Sequence, residues 1–271
     1  GTARDDGGAR PDPKEAIGSL TTLQTATRLH EAGRSAEAVP LLQEVLCANP
    51  RLVDGWEVLA SAHERLGRMD EALAALKKTV ALSPPGRSNY VADVAALALR
   101  AGRLDEARSH AELARTFGEG RADVVLARVA LREGKLDEAL RVADEGLARG
   151  GTPTAGLHVA RAEVLGRRER LSEAEREYRA ELAAHPRSVE ALSGLAIVAA
   201  ASGDLAEAAR RAATIPRVVP TPDGYVTAIV SLRSFGRPTD AAALLAEAKR
   251  SFPGDFRLAR LEAGAKAGRA R

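Results

Sequence analysis

The chain has 271 residues, of which 45% are hydrophobic and 28% are charged, so it can bury a substantial core as one or two domains or as one elongated array. Aromatic residues make up 3%, and the residue types that favour strands are sparse, which indicates an all-α protein. The net charge is only +3, the single cysteine excludes an internal disulfide, and no apolar run approaches the roughly 18 residues that a membrane span needs.

Residues 1–13 are rich in Gly, Pro and Asp, show no apolar periodicity, and are predicted to form a flexible linker. They carry no signal-peptide pattern. Because the chain starts with Gly1 rather than Met, one expectation is that the natural N-terminus, with any targeting signal, precedes it. The sequence therefore leaves the localisation open.

Residues 14–253 contain a pattern that recurs about every 34 residues. Each unit has a Gly, an Ala five residues later and, in most units, a Pro seventeen residues after the Gly, as in Gly67, Ala72 and Pro84. Glu169 stands where the fifth unit should have its Gly. The seven alanines lie 34, 35, 32, 35, 34 and 33 residues apart: Ala38, Ala72, Ala107, Ala139, Ala174, Ala208 and Ala241. Seven copies of one unit predict a repeat protein.

Each letter of the pattern has a physical role in a pair of antiparallel helices. Gly ends the first helix, because it can adopt the left-handed conformation that helix ends often need. Ala lies where the two helices approach closely, and Pro ends the second helix. Both helices are amphipathic, so stacked pairs are needed to bury their apolar faces. The sequence therefore predicts an all-α solenoid of seven helix-turn-helix units.

The segment "WEVLASAHERLGRMDEALAALKKTVALSP" (56–84) closely resembles a tetratricopeptide repeat (TPR). The resemblance covers about residues 19–253 and is weaker in the third to fifth units, where Asp123 and His158 replace the residue that Trp56 represents. It implies a right-handed superhelical α-solenoid. The glycines of "GLARGGTP" (146–153) further predict an irregularity near residues 149–154.

Residues 254–271 start like another first helix without a partner, and are predicted to form a capping helix and basic tail. Nine basic residues between Arg233 and Arg271 raise a nucleic-acid hypothesis. The spread of these charges along helical sequence, with few aromatics, argues against it.

No pattern for catalysis, for a cofactor or for a metal is present, and we predict that the chain is not an enzyme. The five histidines are isolated, and no Gly-rich phosphate loop or nucleophile elbow occurs. Cys47 lies among apolar residues and is expected to be a small buried hydrophobe.

In a solenoid of helix pairs the first helices line the concave wall. We therefore expect the partner to contact polar residues on these helices: Glu57, Ser61, Glu64, Asp93, Arg128, Arg132, Glu163 and Arg167. Three of these, Arg128, Arg132 and Arg167, could form a basic spot for an acidic ligand. The alternative is that their stems cover apolar wall while the charges stay in water.

The favoured hypothesis is a scaffold that binds a peptide or extended protein segment in its concave groove without chemistry of its own. The alternative is a C-terminal accessory domain of a larger enzyme, because "RPDPKEAI" (10–17) resembles the junction between a sulfatase-type hydrolase and a bacterial TPR tail. Nucleic-acid binding through the basic C-terminal end is the third hypothesis.

Overall fold

The computed structural model describes residues 13–84, 88–149, 151 and 153–269. Residues 1–12, with nearly all of the predicted linker and part of "RPDPKEAI", lie outside the described residues, as do residues 150 and 152. The described ranges form fifteen α-helices and no strand: α1 (Pro13–Glu31), α2 (Ser35–Ala48), α3 (Val53–Arg65), α4 (Met69–Leu82), α5 (Ser88–Arg100), α6 (Leu104–Thr116), α7 (Arg121–Arg132), α8 (Leu136–Ala148), α9 (Leu157–Arg167), α10 (Leu171–Ala184), α11 (Val189–Ala201), α12 (Leu205–Val218), α13 (Pro222–Ser234), α14 (Pro238–Ser251) and α15 (Phe256–Arg269).

The chain divides into two compact units, Gly1–Leu82 and Ser83–Arg271. The first contains the pairs α1/α2 and α3/α4. The second contains five further pairs, α5/α6 to α13/α14, and then α15. Within each unit every helix packs on its neighbour in the chain. The protein is thus an all-α helical-repeat solenoid, which confirms the predicted fold class.

The turn inside each helix pair has a left-handed residue at the predicted place. The φ angles there are 84° at Gly33, 74° at Gly67, 78° at Gly102, 76° at Gly134, 61° at Glu169, 89° at Gly203 and 74° at Gly236. The next N–H closes the helix end, as where Arg170 donates to the Leu165 carbonyl at 2.9 Å. Glu169, the one non-Gly residue with positive φ among the described residues, therefore occupies a glycine position.

The repeated alanines lie at the contact between the two helices of each pair. All seven are 0% exposed. A larger side chain would separate the helices, since a close-packed interior has no room for added atoms. The prolines Pro50, Pro84, Pro186, Pro220 and Pro253 each follow the end of a second helix by two residues.

The first helices of the second unit form a continuous layer. Each of α5, α7, α9, α11 and α13 contacts the next first helix directly, and α13 contacts α15. The second helices α6, α8, α10 and α12 each pack against the first helix of the following pair. The open face of the first-helix layer is therefore the wall that an extended partner would meet.

The prediction for Cys47 was wrong. Its side chain is exposed, near the C-terminal end of α2. The buried face of this helix is formed by neighbours such as Val45 and Leu46. At a helix end the chain turns away from the core, so an apolar sequence context does not decide which face a residue occupies.

Candidate functional site

In the first unit, Glu57, Ser61 and Glu64 lie on α3. The Ser61 hydroxyl is 2.9 Å from Nε2 of His30, whose Nδ1 is 3.0 Å from the Ser35 hydroxyl. The pKa of His30 is lowered, first because the imidazole is partly buried and then because the Arg65 guanidinium is nearby. The imidazole of His30 thus joins α1 to α3, and Ser61 makes an internal contact.

In the second unit, Asp93 on α5 pairs with Arg121, at 2.6 Å between Oδ1 and Nη1. Arg132 and Arg167 each donate to a carbonyl at the end of the preceding first helix. Nη1 of Arg132 lies 2.9 Å from the Leu99 oxygen, and Nη1 of Arg167 lies 2.7 Å from the Leu131 oxygen. Cations are favoured at helix C-termini, where carbonyls lack partners. Two guanidiniums of the predicted basic spot therefore contribute to helix stacking.

A cavity of about 620 Å³ opens in the second unit between α9, α10, α11 and α13. Its apolar lining includes Leu171, Ile197 and Val198. The polar lining includes Glu163, Gly166, Arg167, Tyr178, Glu190, Ser193, Gly194, Asp223 and Thr227. Of the eight predicted groove residues, the cavity brings together Glu163 and Arg167.

Tyr178 and Gly194 shape the floor of this cavity. The Tyr178 ring lies so close to α11 that a Cβ atom on residue 194 would be 2.2 Å from the ring atoms Cε1 and Cζ. Real Cβ atoms do not approach other atoms so closely, so the ring occupies its place only because residue 194 has no side chain. This part of the cavity lining therefore depends on the glycine.

Glu163 is the half-buried carboxyl of the cavity. Its pKa is raised, chiefly by burial, and Glu190 raises it further, while Arg128, Arg167 and Arg132 oppose the shift. Glu163 makes no hydrogen bond or ion pair with any residue in the described part of the chain. Burial, and then the Glu163 charge, also raise the pKa of the Tyr178 hydroxyl.

The other charges around the cavity have partners. Arg128 is 3.5 Å from Glu190, and Asp223 pairs with Arg257. Of the three carboxylates in the lining, Glu163 is thus the one whose charge no described cation balances at contact distance.

A second cavity of about 520 Å³ lies nearby, beside the ends of α9 and α11. Glu181 is 0% exposed there, and its Oε1 accepts the Gly156 N–H at 2.8 Å. Gly156 is left-handed, with φ of 98°, and precedes α9 directly. A carboxylate is stabilised at a helix N-terminus, so Glu181 secures the chain where it enters α9, just after the predicted irregularity.

Tyr178 was not among the predicted site residues, because partner contacts were expected on the first helices only. Tyr178 lies on α10, nine residues after the turn. The other units have an aliphatic residue at this place: Leu42, Leu76, Ala111, Ala143, Ala212 and Leu245. A tyrosine at an aliphatic repeat position, with Gly194 in the next unit, was the available signal.

Four of the basic residues near the C-terminal end contact other residues of the chain. Arg233 donates to the Leu261 carbonyl at 3.2 Å, Arg237 contacts Asp240 at 3.0 Å, and Lys249 pairs with Glu262. Arg257 pairs with Asp223 and, at 2.8 Å, with Asp255. These four cations are therefore engaged within the chain rather than presented together for nucleic acid.

The described residues lack two kinds of feature. They contain no group of three or more His, Cys, Asp or Glu side chains that could hold a metal ion. None of their helices has the length and apolar character needed to cross a membrane.

Two family models, each described as a tetratricopeptide repeat, match the chain. One matches residues 23–87 and 159–215, and the other matches residues 94–112 and 120–145. The chain belongs to the tetratricopeptide repeat family. TPR proteins are generally protein–protein interaction scaffolds and are typically non-catalytic.

Solved TPR structures share the fold. A tetratricopeptide repeat protein from Parabacteroides merdae has a TM-score of 0.57 at 16% identity, over 86% of this chain and 92% of that one. Yeast Tom70 has a TM-score of 0.57 at 20% identity, over 89% of this chain and 49% of that one. A chain of the APC/C hetero-tetramer Cut9–Hcn1 has a TM-score of 0.57 at 13% identity, over 80% of this chain and 42% of that one. This chain thus spans about half or less of the last two. No curated protein matches it significantly.

Proposed function

We propose that the second unit binds an extended segment of a partner protein along α9, α11 and α13. The observation that carries the proposal is the 620 Å³ cavity, in which apolar walls surround Glu163, a carboxyl group that makes no hydrogen bond or ion pair with any described residue. Pockets of this size, mostly apolar with a few convergent polar groups, are typical of binding sites.

Exposed apolar side chains support this position of the groove. Ile197 on α11 is 54% exposed, and Val230 on α13 is 49% exposed. Each lies six residues before the turn glycine of its unit, so the two occupy equivalent places on successive first helices. Glu163 holds the same place on α9. A segment that crosses the three helices would bury both apolar groups.

The test is selection of peptides from a displayed library of random 12-residue sequences on the purified chain. We expect the selected peptides to share a consensus sequence. A synthetic peptide of that sequence should bind the Ile197→Asp variant at least tenfold more weakly than it binds the wild-type chain, a difference of about 1.4 kcal/mol. Leu205→Asp is the matched control, since Leu205 is also 54% exposed but lies on the second helix α12.

Equal binding by the Ile197→Asp and wild-type chains, or the absence of any consensus, would contradict the groove. The accessory-domain hypothesis concerns sequence before Gly1 and stays a separate prediction. A groove that binds a segment would serve in either setting.

A further inference from the structure

We propose that the groove takes its partner by a basic side chain, a lysine or an arginine, which enters the 620 Å³ cavity and pairs with Glu163. This inference rests on the proposed function and names the chemistry that its site recognises.

The carboxylate of Glu163 is the first feature that supports this proposal. Glu163 is half-buried and has no hydrogen bond or ion pair among the described residues. A carboxylate removed from water without a partner is costly, and an incoming cation offsets that cost. Since the alternative partners Arg132 and Arg167 are bound to the carbonyls of Leu99 and Leu131, the protein itself leaves Glu163 without contact.

The second argument is charge complementarity. The lining contains three carboxylates, Glu163, Glu190 and Asp223, and a single guanidinium, Arg167. Arg128 lies against Glu190 and Arg257 against Asp223, while Arg132 and Arg167 keep their charge but are held at carbonyl oxygens rather than at Glu163. The sequence suggested an acidic ligand at Arg128, Arg132 and Arg167. Because the contacts of these arginines are with Glu190 and two carbonyl groups, the position directly against the Glu163 carboxylate stays open to an incoming cation.

The third argument is shape. Leu171, Ile197 and Val198 offer apolar wall along which the aliphatic stem of a lysine or arginine can lie. The hydroxyls of Tyr178 and Ser193 line the same cavity. A lysine ammonium or a guanidinium has N–H donors beyond those that pair with one carboxylate, and these hydroxyls can accept hydrogen bonds from them. Tyr178 reaches this position because residue 194 is Gly.

The experiment uses the peptides selected on the whole chain. We expect one lysine or arginine at a fixed place in the consensus, and at least a tenfold loss of affinity when Glu163→Gln is introduced. Replacing that basic residue of the peptide by norleucine should cause a similar loss, after which Glu163→Gln should have no further effect. Glu112→Gln, at an exposed carboxylate on α6, is the control that should leave binding unchanged.

The outcomes separate the two proposals. Two outcomes would overturn the cation pocket and leave the groove. One is a consensus without a basic residue. The other is a consensus peptide whose affinity is unchanged by Glu163→Gln but is still weakened by Ile197→Asp. Failure to select any peptide overturns both. Circular dichroism checks that the variants are folded, and we expect the thermal midpoint of Glu163→Gln at neutral pH to equal or exceed that of the wild type. A lower midpoint with unchanged affinity would assign Glu163 a structural role and overturn the inference.

Discussion

At the scale of single residues, the contact between Tyr178 and Gly194 can be tested by a substitution at Gly194. We expect Gly194→Ala to destabilise the chain by about 1–3 kcal/mol, because the added Cβ would lie 2.2 Å from the tyrosine ring. This loss should exceed the gain of about 1 kcal/mol that Ala brings to a helix interior. Chemical denaturation followed by circular dichroism measures the change.

Gly166 provides the matched control for this substitution. It is also helical and lines the same cavity, but a Cβ there would have no neighbour within 4 Å. Gly166→Ala should therefore stabilise the chain by about 0.5–1 kcal/mol. If both alanine variants were stabilised, the close approach of Tyr178 to α11 would be wrong.

Glu163 gives a prediction about pH. Because its folded-state pKa is raised above the usual glutamate value, the folded chain binds this proton more tightly than the unfolded chain does. Its ionisation therefore lowers stability as pH rises from about 4.5 through the raised pKa. Burial raises this pKa most, and Glu190 raises it further, while the charges of Arg128, Arg167 and Arg132 oppose the rise.

The measurement compares Glu163→Gln with the wild type. We expect the variant to be the more stable at pH 7, and the difference to shrink as the pH falls towards the unfolded-state value. The thermal midpoints of both proteins, measured from pH 4.5 to 7.5, give this difference in stability. A difference that grows on acidification would show that the carboxylate form is stabilised instead.

At the scale of the helix pair, the left-handed turn residue is the feature that defines each repeat. We expect Glu169→Gly to stabilise the chain by about 0.5–1 kcal/mol. A residue with a side chain costs about 1–2 kcal/mol in the left-handed conformation, and glycine removes this cost. Part of the gain is lost because glycine has more backbone entropy in the unfolded chain. The control is Gly134→Ala, which has φ of 76° and open space around it, and should lose about 1 kcal/mol. Urea denaturation of the two variants decides the point, and a loss in both would contradict the equivalence of the turns.

The same repeat scale shows what sequence can and cannot predict. The turn residues, the alanine contacts and the prolines follow from physical requirements shared by all units, so their recurrence was visible in the sequence. The roles of Arg132 and Arg167 were not visible, because they depend on carbonyls more than thirty residues away. The cavity arises at Tyr178, where one unit departs from the repeat pattern. A repeat pattern describes what the units have in common, so it does not predict a feature of one unit. Glu163 was predicted as a groove residue, but its lack of an internal partner could be seen only in the structure.

At the scale of the whole molecule, the division into two compact units predicts how the chain unfolds. Trp56, the single tryptophan, lies in the first unit, whereas circular dichroism reports the helices of both. Since repeat proteins are stabilised through nearest neighbours, a change in the sixth helix pair should act locally. We expect Gly194→Ala to shift the transition seen by circular dichroism and to leave the Trp56 fluorescence transition in place. Equal shifts of both would show that the chain unfolds as one cooperative unit.

The contact of Tyr178 with Gly194 also restricts how this array can change in length. In a repeat protein each unit contacts only its neighbours, and the alanine contacts within the helix pairs of this chain are alike. The tyrosine and the glycine, however, belong to different pairs, α9/α10 and α11/α12, and meet only while these pairs are adjacent. A unit inserted between them would preserve the scaffold and abolish the pocket. Because Asp223 and Thr227 on α13 line the same cavity, the pocket requires an unbroken order of three pairs, α9/α10, α11/α12 and α13/α14.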